Sequence, residues 1–166
     1  MTYAFPHPIR LFALTVLAVL LAACQSTPTA SGFSAAQIAT LQSEGFVDTG
    51  PGWELNMPER LLFPSDQSSI PADQQKRIID IAAKLVSVGI ATARVEGHSD
   101  STGTSAYNLW LSQARAEAFA TPMQAGGMRF TADQIVGRGE TLPLSSNTTP
   151  EGRQDNRRVV VIVTPQ

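Results

Sequence analysis

The sequence predicts an α+β fold: a two-layer sandwich with helices on one face of a mixed β-sheet. Three features of the 166-residue chain point to it. Two long stretches, residues 71–89 and 105–120, place apolar side chains at helical spacing. Short β-prone runs lie between and around them, among them "VVVIV" at 159–163. Strands alternating with only two substantial helices favour one helical layer over a doubly covered sheet.

The N-terminus reads as a processing segment. Arg10 precedes an apolar run from Leu11 to Ala23, which is too short to span a bilayer and suits a signal-peptide core. It ends Leu21-Ala22-Ala23-Cys24. Cys24 is the single cysteine, so no intramolecular disulfide can form. "QSTPTASG", residues 25–32, is a linker of small residues. In "FSAAQIATLQSEGF", Ser34 caps a short helix carrying Ile38 and Leu41, and Gly45 ends it. "WELNMPERLLF", residues 53–63, reads as one or two strands interrupted by Pro58.

From Pro71 the helical period sets in, with Ile78, Ile81, Ala82, Leu85 and Val86 on one face and Gly89 closing the helix. Residues 91–99 form a strand. The second helix turns Leu111, Ala114 and Ala118 to one face, and Pro122 is expected to end or kink it. Thr131 and Gln134 make a capping box ahead of a short strand over 134–140. Val159–Val163 is continuously apolar, as in a central or strongly β-prone strand.

A net charge of −2 leaves no basic excess for phosphates and argues against nucleic acid. Ten of the twelve basic residues are Arg, the residue suited to bidentate capture of carboxylates. An enzyme is disfavoured. After residue 23 the chain has one His, no nucleophile-elbow pattern and no cluster at metal-ligand spacing, and no cofactor is expected. His98, Ser99 and Asp100 are consecutive and cannot close on one another as a triad.

Asp100 sits on a loop just past a strand, and Arg115 on the helix that follows. Together they can hold a zwitterion, Asp100 taking an ammonium and Arg115 a carboxylate. On spacing alone, a turn Asp and a helix-surface Arg is the simpler reading. The surrounding residues change that balance. Gly97-His98-Ser99-Asp100, Tyr107-Asn108, Leu111-Ser112 and Arg115-Ala116 resemble the peptidoglycan-binding OmpA-like domain, as do Phe63 and Asp66 upstream and Gly152-Arg153 and Asn156-Arg157-Arg158-Val159 near the end.

The resemblance implies that Asp100 and Arg115 grip the free end of diaminopimelate in the stem peptide. It further implies that Asp66, Ser99, Asn108 and Leu109 line the pocket, and that Arg157 approaches the stem carboxylates. His98 is read as a strand-end hydrogen-bonding residue. The segment ending at Cys24 looks like a bacterial lipobox, which implies lipid on Cys24, cleavage before it, and an outer-membrane location facing the periplasm. The implied organisation is a signal peptide (1–23), a lipidated cysteine and linker (24–32), a regulatory segment (33–54) and a peptidoglycan-binding domain (55–166).

"FSAAQIATLQSEGF" followed by "GWEL" is similar to the N-terminal segment of YfiB-type lipoproteins. That likeness implies a YfiR-type periplasmic repressor as partner, held through Ile38, Leu41, Phe46 and Trp53. Sequestering the repressor would release a diguanylate cyclase and raise cyclic di-GMP. The plainer alternatives are that these four residues pack against their own domain, and that the protein is a passive tether between outer membrane and peptidoglycan. The oligomeric state, a homodimer included, is left open.

Overall fold

The structure is a computed structural model that describes residues 32–63 and 69–165. The signal peptide, Cys24, most of the linker, and Pro64, Ser65 and Asp66 lie outside the described residues. Among the described residues the order is α1 (Ala35–Ser43), β1 (Val47–Asp48), β2 (Trp53–Pro58), α2 (Glu59–Leu62), α3 (Ala72–Ser87), β3 (Arg94–His98), α4 (Ser105–Ala125), a 3-10 turn (Ala132–Gln134), β4 (Ile135–Gly137), α5 (Pro150–Asn156) and β5 (Arg158–Val163). The strands form one mixed sheet in the order β1-β2-β5-β3-β4. Only the β3–β4 pair is parallel. Helix α4 lies on β3 and β4, and α3 packs against α4. This is the expected two-layer α+β sandwich.

The central strand is β5, bonded to β2 on one side and β3 on the other. Its valines Val159, Val161 and Val163 enter the core with Val95, Leu85, Ile78 and Phe119. Helix α4 approaches the sheet so closely that backbone meets backbone. A Cβ on Gly97 would lie 2.0 Å from the Ser112 carbonyl oxygen, and one on Gly137 would lie 2.5 Å from the Gln113 nitrogen. Ser112 Oγ fastens this contact by accepting the Gly139 N–H at 2.8 Å.

The N-terminal segment belongs to the same core. Ser34 and Gln37 close a capping box at the start of α1, and Gly45 follows its end at φ +86°. Phe33, Leu41, Phe46 and Trp53 are all buried with the sheet residues, and Ile38 packs against them. The expected boundary between residues 54 and 55 falls inside β2. Gly32 and Phe33 meet Val163, Thr164 and Pro165, at the end of β5 remote from Arg158.

Three local expectations are corrected. Strand β2 stops at Pro58 and the chain then turns into a short helix instead of a second strand. Pro58 supplies no N–H to extend a ladder, and Glu59 suits the positive N-terminal end of a helix. Helix α4 continues through Pro122 to Ala125. Pro122 lies within the last turn, is itself buried, and its carbonyl still accepts the Gly126 N–H at 3.0 Å. The buried face of α4 is Asn108, Ser112, Arg115, Ala116, Phe119, Ala120 and Met123, while Leu111, Ala114 and Ala118 flank it. Polar residues occupy that face because it meets the glycine-lined sheet edge and the cleft described next. Helix α5, capped by Thr149 with Pro150 in its first turn, was not anticipated.

Candidate binding site

A cleft of about 570 Å³ opens where four chain segments leave regular structure. The end of β2 delivers Glu59, and the end of β3 delivers Ser99 and Asp100. One face of α4 delivers Asn108, Leu111 and Arg115, and the junction of α5 with β5 delivers Arg157. Strand register makes them converge. His98, the last residue of β3, pairs with Arg158, the first of β5. Pro58 pairs with the same Arg158 from the other side. The ladder extends one step further when the Glu59 N–H donates to the Arg157 carbonyl at 2.9 Å.

The side chains form an alternating chain of charges. Arg115 Nη2 pairs with Glu59 Oε1. Glu59 Oε2 lies 2.7 Å from Arg157 Nε, and Arg157 Nη1 lies 2.5 Å from Asp100 Oδ2. The second Asp100 oxygen accepts the Thr102 N–H at 2.8 Å. Burial raises the Asp100 pKa, but the Thr102 and Arg157 contacts outweigh it and hold the carboxyl below its ordinary value. Burial lowers the Arg115 pKa, with Glu59 opposing the shift. Arg115 is only 6% exposed and stacks over the Phe63 ring at 5.6 Å. Its Nε and Nη1 have no hydrogen-bond partner among the described residues, and neither has the buried Ser99 Oγ.

Ser99, Asp100, Asn108, Arg115 and Arg157 therefore stand together at the cleft. Asp100 and Arg115 both face it but do not pair with each other, because each already holds a different partner. Asn108 is tied to Glu140 through its amide. Leu109 is corrected: it is 53% exposed and off the cleft wall, where Leu111 stands instead. Residues 108, 111 and 115 follow the three- and four-residue spacing of one helix face, which turns 109 away. Asp66 lies outside the described residues.

Glu59 was missed. It is 56 positions from Arg115 in sequence, and the run containing it reads as a strand. The available signal was Pro58-Glu59, a stop to the ladder followed by an acid suited to a first helical turn. His98 is buried under the strand ends, outside the cleft lining. Among the described residues no group of three or more His, Cys, Asp and Glu is placed to hold a metal ion. No helix among them is long and apolar enough to cross a membrane.

Comparison with known proteins agrees with this architecture. Residues 62–157 match the OmpA family. The outer-membrane lipoprotein YfiB of Pseudomonas aeruginosa is 39% identical over 159 residues, covering 95% of both chains. The solved structure of the cell wall anchor of the T6SS from Pseudomonas aeruginosa superposes with a TM-score of 0.62 at 31% identity, covering 79% of this chain and 95% of that one. The peptidoglycan-associated lipoprotein from Burkholderia pseudomallei gives a TM-score of 0.52 at 27% identity, over 64% of this chain and 87% of its own. With a family match over more than half its length and a relative aligned from end to end, this chain belongs to the OmpA family.

Proposed function

We propose that the chain is a lipoprotein of the outer membrane, anchored through lipid on Cys24, whose cleft binds the free end of diaminopimelate in a peptidoglycan stem peptide. The observation that carries this is the state of Arg115. Arg115 is almost fully buried, and two of its nitrogens, like the Ser99 hydroxyl, have no hydrogen-bond partner among the described residues. A ligand carboxylate satisfies those donors in a forked pair. Asp100, kept ionised by Thr102 and Arg157, accepts the ammonium. The likeness to a cell wall anchor and to a peptidoglycan-associated lipoprotein supports the same ligand.

Asp100→Ala and Arg115→Ala each remove a charge-assisted contact of about 1.5–3 kcal/mol, so affinity falls about ten- to a hundredfold. Calorimetry with a soluble diaminopimelate-containing peptide measures it. Full affinity in both folded variants removes the assignment. The chemistry is capture without bond cleavage, and intact peptidoglycan after incubation with the pure protein is the matching result.

A second role follows from the end-to-end likeness to YfiB. A YfiR-type repressor docks on residues 33–54 and frees a diguanylate cyclase, raising cyclic di-GMP. Burial of Leu41, Phe46 and Trp53 favours the tether reading for the packed state. Repressor binding then requires that this segment leave the core. Copurification of a YfiR-type protein with the lipidated chain tests it.

A further inference from the structure

Helix α4 carries a second, aromatic surface at its N-terminal end. Tyr107 and Trp110 are one turn apart, and their rings touch with centroids 5.9 Å apart and planes tilted by 37°. Both are open, at 52% and 62% exposure. Single exposed apolar residues are ordinary and need no explanation. This pair differs because its two rings are organised against each other and one of them is part of the cleft. Tyr107 lines the same cleft as Asp100 and Arg115. The aromatic surface is therefore continuous with the binding site: the Tyr107 phenol is close enough to act on the Arg115 charge, and its ring touches that of Trp110.

The chemistry of the ligand says what should lie there. A stem peptide in the cell wall is attached to an amino sugar of the glycan strand through a lactyl ether and two amino acids ahead of diaminopimelate. Counted from the free end of diaminopimelate, whose own chain adds to it, that linkage reaches roughly 20 Å when extended. Along the α4 axis the backbones of Trp110 and Tyr107 stand ~8 and ~12 Å from that of Arg115. With the diaminopimelate carboxylate on Arg115, the sugar is within reach of the two rings. A pyranose presents a face of C–H groups, electropositive at the hydrogens, and an aromatic ring presents a negative π-face.

We infer that Tyr107 and Trp110 form a saccharide subsite that stacks an N-acetylated amino-sugar ring of the glycan strand. This rests on the stem-peptide assignment of the cleft and extends it from peptide to glycan. Trp110 is the residue specific to the subsite, since Tyr107 also borders the peptide cleft. The protein thereby prefers a peptide still attached to glycan over the same peptide set free.

The test uses the lipidated chain in detergent and two probes: the free tripeptide ending in diaminopimelate, and the same tripeptide on its disaccharide. Wild type binds the disaccharide-peptide about tenfold more tightly than the tripeptide. Trp110→Ala abolishes that preference and leaves tripeptide affinity unchanged, while Trp110→Phe keeps most of it. Emission from exposed Trp110 shifts to the blue with the disaccharide-peptide only. A preference that survives Trp110→Ala overturns the subsite while leaving the peptide cleft intact. Equal weakening of both probes also overturns it, because the variant has then damaged the cleft. Wild type that binds neither probe overturns the cleft assignment and the subsite with it.

Discussion

Glu59 and Asp100 share one cation. Arg157 reaches the first through Nε at 2.7 Å and the second through Nη1 at 2.5 Å. Glu59 uses its other oxygen for Arg115. The Arg115 and Arg157 guanidiniums are thus paired with two protein carboxylates. A carboxylate ligand arriving at Arg115 meets a competitor already bound.

Glu59→Gln should therefore raise affinity for a diaminopimelate peptide about five- to tenfold, as an opposing charge is removed from the ligand's cation. Fold stability should drop by ~1–3 kcal/mol, since buried Arg115 loses its counter-ion. Calorimetry and urea unfolding read the two effects separately. A loss of affinity would instead make Glu59 a ligand contact, serving the ammonium alongside Asp100.

Gly97→Ala should be among the most damaging single-methyl changes in the protein. The added carbon would sit 2.0 Å from a backbone oxygen of α4, where no side chain can rotate away. Separating the helix from the sheet costs about 3 kcal/mol, or a fall of ~10 °C in Tm. Thermal unfolding followed by circular dichroism checks it. Retained peptide binding at low temperature would show that α4 still carries Arg115 to the cleft.

Acid should weaken the fold in a window set by His98. Burial and the Arg158 charge push its pKa down from 6.5 to about 4, against the opposing pull of Glu96, with Arg138 adding to the depression. Between these values the unfolded chain takes up a proton that the folded one refuses, so stability falls as pH drops from 6.5 towards 4 and levels off below. The loss amounts to ~3 kcal/mol across the whole window. Asp100 and Glu96, both held below their ordinary values of 3.8 and 4.5, add their own loss from about those values downward, so the Glu96 loss overlaps the foot of the His98 window. Urea midpoints at pH 7 and 4.5 should separate for wild type and draw together for His98→Gln. An unchanged separation would assign the acid sensitivity elsewhere.

Leu41→Pro should release the N-terminal segment. Leu41 is completely buried near the end of a nine-residue helix. Proline removes both its side chain and a helical hydrogen bond, at about 3 kcal/mol or more. The remaining domain keeps its peptide affinity, and limited proteolysis cuts within residues 33–46. Capture of a YfiR-type repressor should increase over wild type. Equal capture by a variant shown to be released would leave only the tether role.

The residues that meet at the cleft were largely legible because they sit in short runs with fixed local geometry. A strand end supplies Ser99 and Asp100, a helix face supplies Asn108 and Arg115, and a strand start supplies Arg157. What escaped depends on contacts between distant segments. Glu59 acquires its role only when β2 and β5 pair, and its own neighbours say nothing about Arg115. Leu109 was exchanged for Leu111 because a motif was followed where the rotation of α4 decides the matter. Pro122 looked like a stop, yet a proline so near a helix end has few bonds left to break.

The placement of the two attachments gives the fold a mechanical direction. The chain enters beside Val163, and the cleft lies beyond Arg158, at the other end of β5. A pull between anchor and ligand runs lengthwise down this strand, over ~17 Å. Such a force first loads the packing of Phe33 and α1, because the chain runs from Gly32 into that helix. Strand β1, held at two pairs at the sheet edge, is next in line. The six register pairs of β5 with β2 and the five with β3 lie behind it. Tension on the chain thus acts on the N-terminal segment before it reaches the central sheet.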